Sequence, residues 1–246
     1  MEKYHKSTVY DRCKMNGSSP DILKPDLYKK YPNSDKVPLP KPKSTNPVLL
    51  DDALRKRRSF REYLQKSIDL DTLSYLLWAT SGINKLIQSS WGEIGLRTAP
   101  SAGACYPIET YIIVNKLKNQ IGVKGLDMGV YHYDVEYHQL EVVIPGDFRE
   151  PLMKACLEQH YCGTAPVVFI FTAIFNRTKY KYEDRGYRYI FLDAGHQVQN
   201  LALAITGLHL GGVPIGAFYD DEMNSIIAVD GIFESTIYVY PIGCIK

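Results

Sequence analysis

Lys181-Tyr182-Glu183-Asp184-Arg185-Gly186-Tyr187-Arg188-Tyr189, running straight into Asp193-Ala194-Gly195-His196, holds the densest chemistry in the chain. Amine, phenol and guanidinium groups that donate or accept protons and hold anions are gathered beside a glycine, just ahead of a long apolar-periodic segment. That is more ionisable chemistry than a helix start requires, and it points to a site. A solvated basic and aromatic helix entrance is the other reading of the same residues.

Three further segments carry chemistry. Arg57-Arg58-Ser59-Phe60-Arg61 sets three guanidinium groups and a hydroxyl at the end of a predicted helix. Such donors suit a phosphate or the electron-rich edge of a ring cofactor, although basic residues there also complement the helix dipole. Arg97 to Pro107 is a loop of small residues that lets a backbone approach a flat ligand, with the Ser101 hydroxyl at hand; a plain connection is the alternative. Gly211-Gly212-Val213-Pro214-Ile215-Gly216-Ala217-Phe218 lacks the G-x-G-x-x-G spacing of a dinucleotide loop. It reads as a short segment whose backbone N–H groups face a planar ring, with Gly at the contact.

The elements that must position these groups follow from periodicity. Leu49 to Arg57 and Leu70 to Ala79 are predicted helices, the second capped by Asp69. Thr110 to Val114, Val130 to Tyr133, Gln139 to Val143, Val167 to Thr172 and Thr236 to Tyr240 are predicted strands, rich in β-branched and aromatic residues. From Tyr187 the apolar positions step by three or four through Leu208, and Gly211-Gly212 is expected to stop this long central helix. Central strands with helices at both ends, without βαβ alternation, give an α+β fold with a mostly antiparallel sheet. Half of the 14 prolines fall in residues 1 to 47, which read as an extended arm laid on the body or on a second subunit through Tyr4, Tyr10, Leu23, Leu27, Tyr28 and Tyr31. A disordered tail is the competing reading. Residues 48 to 246 form the folded domain.

Composition narrows the classes of partner. With 29 basic against 27 acidic side chains no field favours nucleic acid. Cys13, Cys105, Cys156, Cys162 and Cys244 include no C-x-x-C pair and read as free thiols, with no metal site expected. The polar start Met1-Glu2-Lys3-Tyr4-His5-Lys6 lacks a secretory pattern, and the polar interruptions of the most apolar segment argue against a membrane span, so a cytoplasmic location is expected.

Taken in order, R-R-S-x-R at Arg57, the P-S-x-G-x-x-x-P loop at Pro100, V-P-I-G-A at Val213 and the P-I-G of the last strand resemble the FMN-dependent nitroreductase superfamily. Within it, K-Y-x-x-R-G-Y-R-Y followed by D-A-G-H, with L-W-A-x-x-G-I at Leu77 to Ile83, resembles the SagB-type dehydrogenases, which include enzymes oxidising peptide thiazolines and oxazolines. The resemblance implies a homodimer with the long helix at its interface. It implies FMN with its phosphate on Arg57 and Ser59, helped by Arg58, and with Arg61 at the ring's N1/O2 edge. Ser101 and Gly103 would reach FMN from the other subunit, and Pro214, Ile215 and Gly216 would lie against the flavin with an N–H directed at N5. Lys246 is the remaining candidate for the phosphate near the C-terminus. Conventional nitroreductases carry Asn and Gln where this chain has Gly103, Ala104 and Tyr106, and often Glu at the place of Gly216; both departures favour the SagB-like branch.

Lys181 and Tyr182 match the pair assigned to proton handling in that branch. Azoline oxidation removes a carbon-bound proton while a hydride leaves, so a base beside the flavin is required, and Arg185 is a candidate neighbour for tuning it. Tyr187 and Arg188 read equally as structural, and the D-A-G-H segment as helix packing at the dimer interface. Two alternatives remain: a nitroreductase or quinone-type reductase drawing on NAD(P)H, and a non-catalytic subunit of a peptide-modifying complex containing a cyclodehydratase. Cys105 lacks the accompanying pattern of a nucleophilic cysteine.

Overall fold

The computed structural model describes residues 2–9, 22–43, 47–89, 92–118 and 120–246; Tyr10 and Cys13 lie outside them. In chain order the elements are α1 (Glu2–Ser7), β1 (Lys36–Pro38), α2 (Leu50–Lys56), α3 (Leu70–Ser81), β2 (Ile83–Ser89), β3 (Gly92–Arg97), β4 (Ile108–Val114), β5 (Gly129–Asp134) and β6 (Gln139–Pro145). They continue with α4 (Arg149–Ala155), α5 (His160–Thr164), β7 (Val167–Ile174), α6 (Asn176–Tyr182), α7 (Gly186–Gly207), β8 (Leu210–Gly212), α8 (Asp220–Ile226) and β9 (Glu234–Cys244). Seven strands form one sheet in the order β1-β6-β5-β4-β7-β9-β8, every pair antiparallel, while β2 and β3 form a separate hairpin. This is the α+β arrangement that the strand and helix signals foretell.

Alternation along the strands divides the sheet between two layers. Ile108, Ile112, Val114, Phe169, Phe171 and Tyr240 pack with Leu73, Leu76 and Leu77 of α3 and with Ile190, Ala194, Val198, Leu201 and Ile205 of α7. On the opposite face Ile113, Val130, Val168, Ile170 and Val239 pack with Leu152 of α4, Cys162 of α5 and Met223 of α8. Asp69 caps α3 as its sequence position suggests, accepting from Thr72 N at 2.7 Å. Among the described residues no helix is long and apolar enough to cross a membrane.

Two features differ from the sequence reading. The long helix ends at Gly207, and Gly211-Gly212 instead form β8, where a Cβ on Gly212 would stand 2.5 Å from the Tyr240 ring. The Pro-rich segment also carries regular structure: Glu2–Ser7 is helical because the prolines begin only at Pro20, and Lys36–Pro38 pairs as an edge strand with β6. Residues 22–43 lie on the body through ions as well as apolar side chains, with Lys29 on Glu234 (2.5 Å), Lys30 on Asp134 (2.6 Å) and Lys36 on Glu141 (2.6 Å).

Candidate active site

α6 presents Lys181 and Tyr182 at its C-terminal end, and its first turn is fastened by Arg177. The Arg177 guanidinium donates to Glu109 of β4, to the Tyr106 carbonyl at 3.3 Å and to the Asp26 carbonyl at 2.7 Å. Glu109 also meets His132 Nε2 at 3.0 Å, and His132 Nδ1 meets Glu141 at 2.8 Å. Burial raises the Glu109 carboxyl, but Arg177 and the His132 hydrogen bond outweigh it and hold the group far below the usual carboxylate range. Burial disfavours a charged His132, yet the hydrogen bonds to Glu109 and Glu141 prevail and raise it above 6.5. A buried, charge-balanced cluster therefore supports α6 from below.

At the end of α6 the chain turns sharply. Glu183 adopts φ 49°, a left-handed conformation unusual for a side-chain-bearing residue, and passes through one 3₁₀ turn into α7. The Tyr182 ring packs edge-on against Tyr189, 4.8 Å between centroids, and Lys181 Nζ lies 5.5 Å from the Tyr182 ring. Lys181 itself is exposed.

The small-residue loop is drawn against this pair by Asp193 of α7. Its carboxylate accepts from Ser101 Oγ at 2.5 Å and from Ala102 N at 3.3 Å, and Ser101 Oγ accepts from Tyr106 N at 2.9 Å. Burial pushes the Asp193 carboxyl up, with the Ser101 hydrogen bond acting against it. Gly103, Ala104 and Tyr106 all take positive φ (61°, 54° and 45°), so the loop folds tightly on itself. A Cβ built on Gly103 would overlap Tyr182 Oη and stand 2.6 Å from Lys181 Nζ. The Lys181 amine and the Tyr182 hydroxyl thus converge on a backbone without a side chain. Cys105 is buried alongside, and burial raises its thiol, which keeps it neutral.

The second group of residues gathers at the far end of α7. Ser59 bridges Gly212, and Phe60 N donates to the Gly212 carbonyl at 3.0 Å, which lays Arg57–Arg61 along β8. Arg58 turns its guanidinium back onto the carbonyls of Arg55 (3.2 Å) and Arg57 (2.8 Å). Arg57 is half-buried and Ser59 and Arg61 are exposed, and among the described residues their side chains make no hydrogen bond or salt bridge. Ile215 is buried and its N–H is committed to Val239 O at 2.8 Å. The Gly216 N–H finds no acceptor among the described residues, and open space lies where its Cβ would be. Lys246 is exposed just beyond the end of β9.

The structure therefore unites Lys181, Tyr182, Ser101 and Gly103 in one place, and Arg57, Ser59 and Arg61 in another, beside β8, the strand that leads into Pro214–Gly216. At about 1.5 Å rise per residue, α7 carries its C-terminal end roughly 20 Å past Asp193. Uncommitted cationic donors beside an open, unpartnered backbone N–H are the donor set that a phosphate joined to a planar ring requires, so the residues present fit FMN.

Arg185, read from the sequence as a neighbour of Lys181 and Tyr182, donates to the Thr8 carbonyl at 2.7 Å and lies over the Tyr189 ring, which packs on Tyr182; Arg188 holds Thr8 Oγ1 at 2.5 Å and the His5 carbonyl. In D-A-G-H, Asp193 anchors the Ser101 loop, whereas His196 is exposed. Sequence reading missed Glu109, Arg177 and His132 as supports of the site, since no local spacing connects them. The D-A-G-H run within the helix was the available signal for Asp193.

The model of the nitroreductase family matches residues 54–244. A Methanocaldococcus jannaschii protein assigned by name to the nitroreductases is 38% identical over 196 residues, 80% of this chain and 91% of its own length. The trifolitoxin-processing protein TfxB of Rhizobium leguminosarum bv. trifolii is 29% identical over 182 residues, 72% of this chain but 48% of its own length. The crystal structure of a nitroreductase from Anabaena variabilis superposes with a TM-score of 0.75 at 27% identity, covering 98% of this chain and 45% of that one. The chain thus spans about half the length of these last two proteins. Fold, site geometry and family match lead to one assignment: this chain is a member of the nitroreductase family.

Proposed function

We propose that this protein is an FMN-dependent oxidoreductase of the SagB-like type that dehydrogenates a substrate such as a peptide azoline, in the cytoplasm and as a homodimer. The observation that carries this reading is the convergence of Lys181 Nζ and Tyr182 Oη on Gly103, a proton-handling pair over an open backbone. Name-level support comes from the trifolitoxin-processing relative, since it points to peptide modification. Bound FMN would supply a hydride acceptor at N5. Arg57 and Ser59 would hold its phosphate, Arg61 the pyrimidine edge of the ring, and the Gly216 N–H, in preference to that of the committed Ile215, would face N5. Lys181, with Tyr182 beside it, would take the proton from the substrate carbon. Because α7 separates the two residue groups, Ser101 and Gly103 of one protomer would complete the site of the other. The domain of residues 48–246 would perform this chemistry, with the arm of residues 1–47 laid on it and a cyclodehydratase as the natural source of substrate.

A reductase drawing on NAD(P)H is the second reading, favoured by the name of the Methanocaldococcus jannaschii relative. The two separate on the need for a base. Flavin in the parent and in Lys181→Ala/Tyr182→Phe is reduced chemically, and its reoxidation by a quinone is compared with turnover of a thiazoline peptide. Selective loss of dehydrogenation supports the proposal. Undiminished dehydrogenation, or parallel loss of both reactions, refutes it.

A further inference from the structure

We propose that Gly103 is a positioning residue for Lys181 and Tyr182: its missing side chain leaves the space that their functional tips occupy. The inference rests on the dehydrogenase reading above. Two observations carry it. A Cβ at this position would fall on Tyr182 Oη and within 2.6 Å of Lys181 Nζ, and beyond its chain neighbours no other side chain of the described residues comes as near. The backbone beneath cannot retreat, because Ser101 and Ala102 are tied to Asp193 and Tyr106 N is tied to Ser101 Oγ. The Tyr182 ring is backed by Tyr189. A side chain at 103 would therefore displace the two reactive tips and leave the loop where it is. The positive φ of 61° adds a separate cost for most residues but less for Asn, which tolerates the left-handed region.

These features define the test. Gly103→Asn and Gly103→Ala are made in the parent and in the Lys181→Ala/Tyr182→Phe background, and reduction of bound FMN by a thiazoline peptide is followed in a single turnover, normalised to flavin content. If Gly103 acts through the pair, Gly103→Asn slows the parent by about 100-fold, the scale of a lost general base. In the double-variant background it costs less than about threefold, because the effects of coupled residues do not add. Equal losses in both backgrounds overturn the proposal. A second measurement needs neither substrate nor flavin: competitive acetylation of Lys181 by acetic anhydride across pH, with Lys179 as the internal reference. A change of about threefold or more at Lys181 in Gly103→Asn is expected, and an unchanged profile overturns the contact. Should the parent fail to oxidise the thiazoline, the dehydrogenase reading falls, and the acetylation profile still decides the role of Gly103.

Discussion

Glu109→Gln removes one charge from the cluster beneath α6 and almost no volume. Glu109, Arg177, His132 and Arg97 retain 3%, 2%, 1% and 7% of their exposure, so little water is present to replace a lost partner. In the parent, Glu109 and Glu141 face three buried cationic or protonatable groups. After the substitution Glu141 alone opposes them, and Nε and Nη2 of Arg97 already lack a hydrogen-bond partner. Breaking a buried pair by removing one partner costs about 3–5 kcal/mol. At roughly 2–4 °C per kcal/mol for a chain of this size, Tm falls by about 6–20 °C. Urea unfolding at fixed protomer concentration and saturating FMN measures the change. Asp51→Asn, which breaks the exposed pair with Arg55 (side chains 70% and 74% exposed), is the control and changes stability by less than about 0.5 kcal/mol. Glu109→Gln/Arg177→Met recovers much of the loss, because it leaves one fewer unpaired charge. A Glu109→Gln protein within about 0.5 kcal/mol of the parent would refute the buried cluster as the foundation of α6.

Three other outcomes are expected. His132 has a raised folded pKa, so its contribution is complete below pH 6.5 and is lost as pH rises through the folded value; Glu109 and Glu141, the latter held at about 2, contribute above about pH 4.5 and lose this as pH falls. Urea midpoints across pH should show the alkaline decline weakened in His132→Gln, and an identical slope rejects the linkage. Arg57→Ala and Ser59→Ala should each weaken FMN binding about tenfold or more, whereas Arg58→Ala, whose guanidinium is engaged by carbonyls, should retain it; equilibrium dialysis showing the reverse order contradicts the cradle. Phe191 and Leu192 expose 54% and 58% of their surface on α7, so Phe191→Glu/Leu192→Glu should yield a monomer that sheds FMN. Light scattering combined with the visible spectrum checks this, and a monomer with stoichiometric flavin contradicts the shared site.

The parts of this protein that depend on neighbouring residues were legible in its sequence. The apolar step of three or four marked α7 within a residue at each end, Asp69 announced the start of α3, and β-branched runs located five strands of the main sheet. Short helices such as α4, α5 and α8, and the β2–β3 hairpin, were not read from the sequence. Gly211-Gly212 misled because a glycine pair marks a helix end or a tightly packed strand equally well, and the Tyr240 ring decided between them.

The chemistry divides in the same way. Residue types and order alone determined that an amine, a phenol and a cluster of guanidinium groups exist on this chain, and that Gly103 stands in a loop of mostly small residues. Tertiary structure alone decided their grouping. It set Gly103 under Lys181 and Tyr182, brought Glu109 and His132 to Arg177 across strands, and put the arm's lysines on buried carboxylates. It also set Lys181, Tyr182 and Gly103 near the N-terminal half of α7 and Arg57, Ser59 and Arg61 beside β8, past its C-terminal end. The physical reason is that charge and hydrogen-bond energies depend on distance through the fold, while sequence patterns report only which faces of an element are apolar.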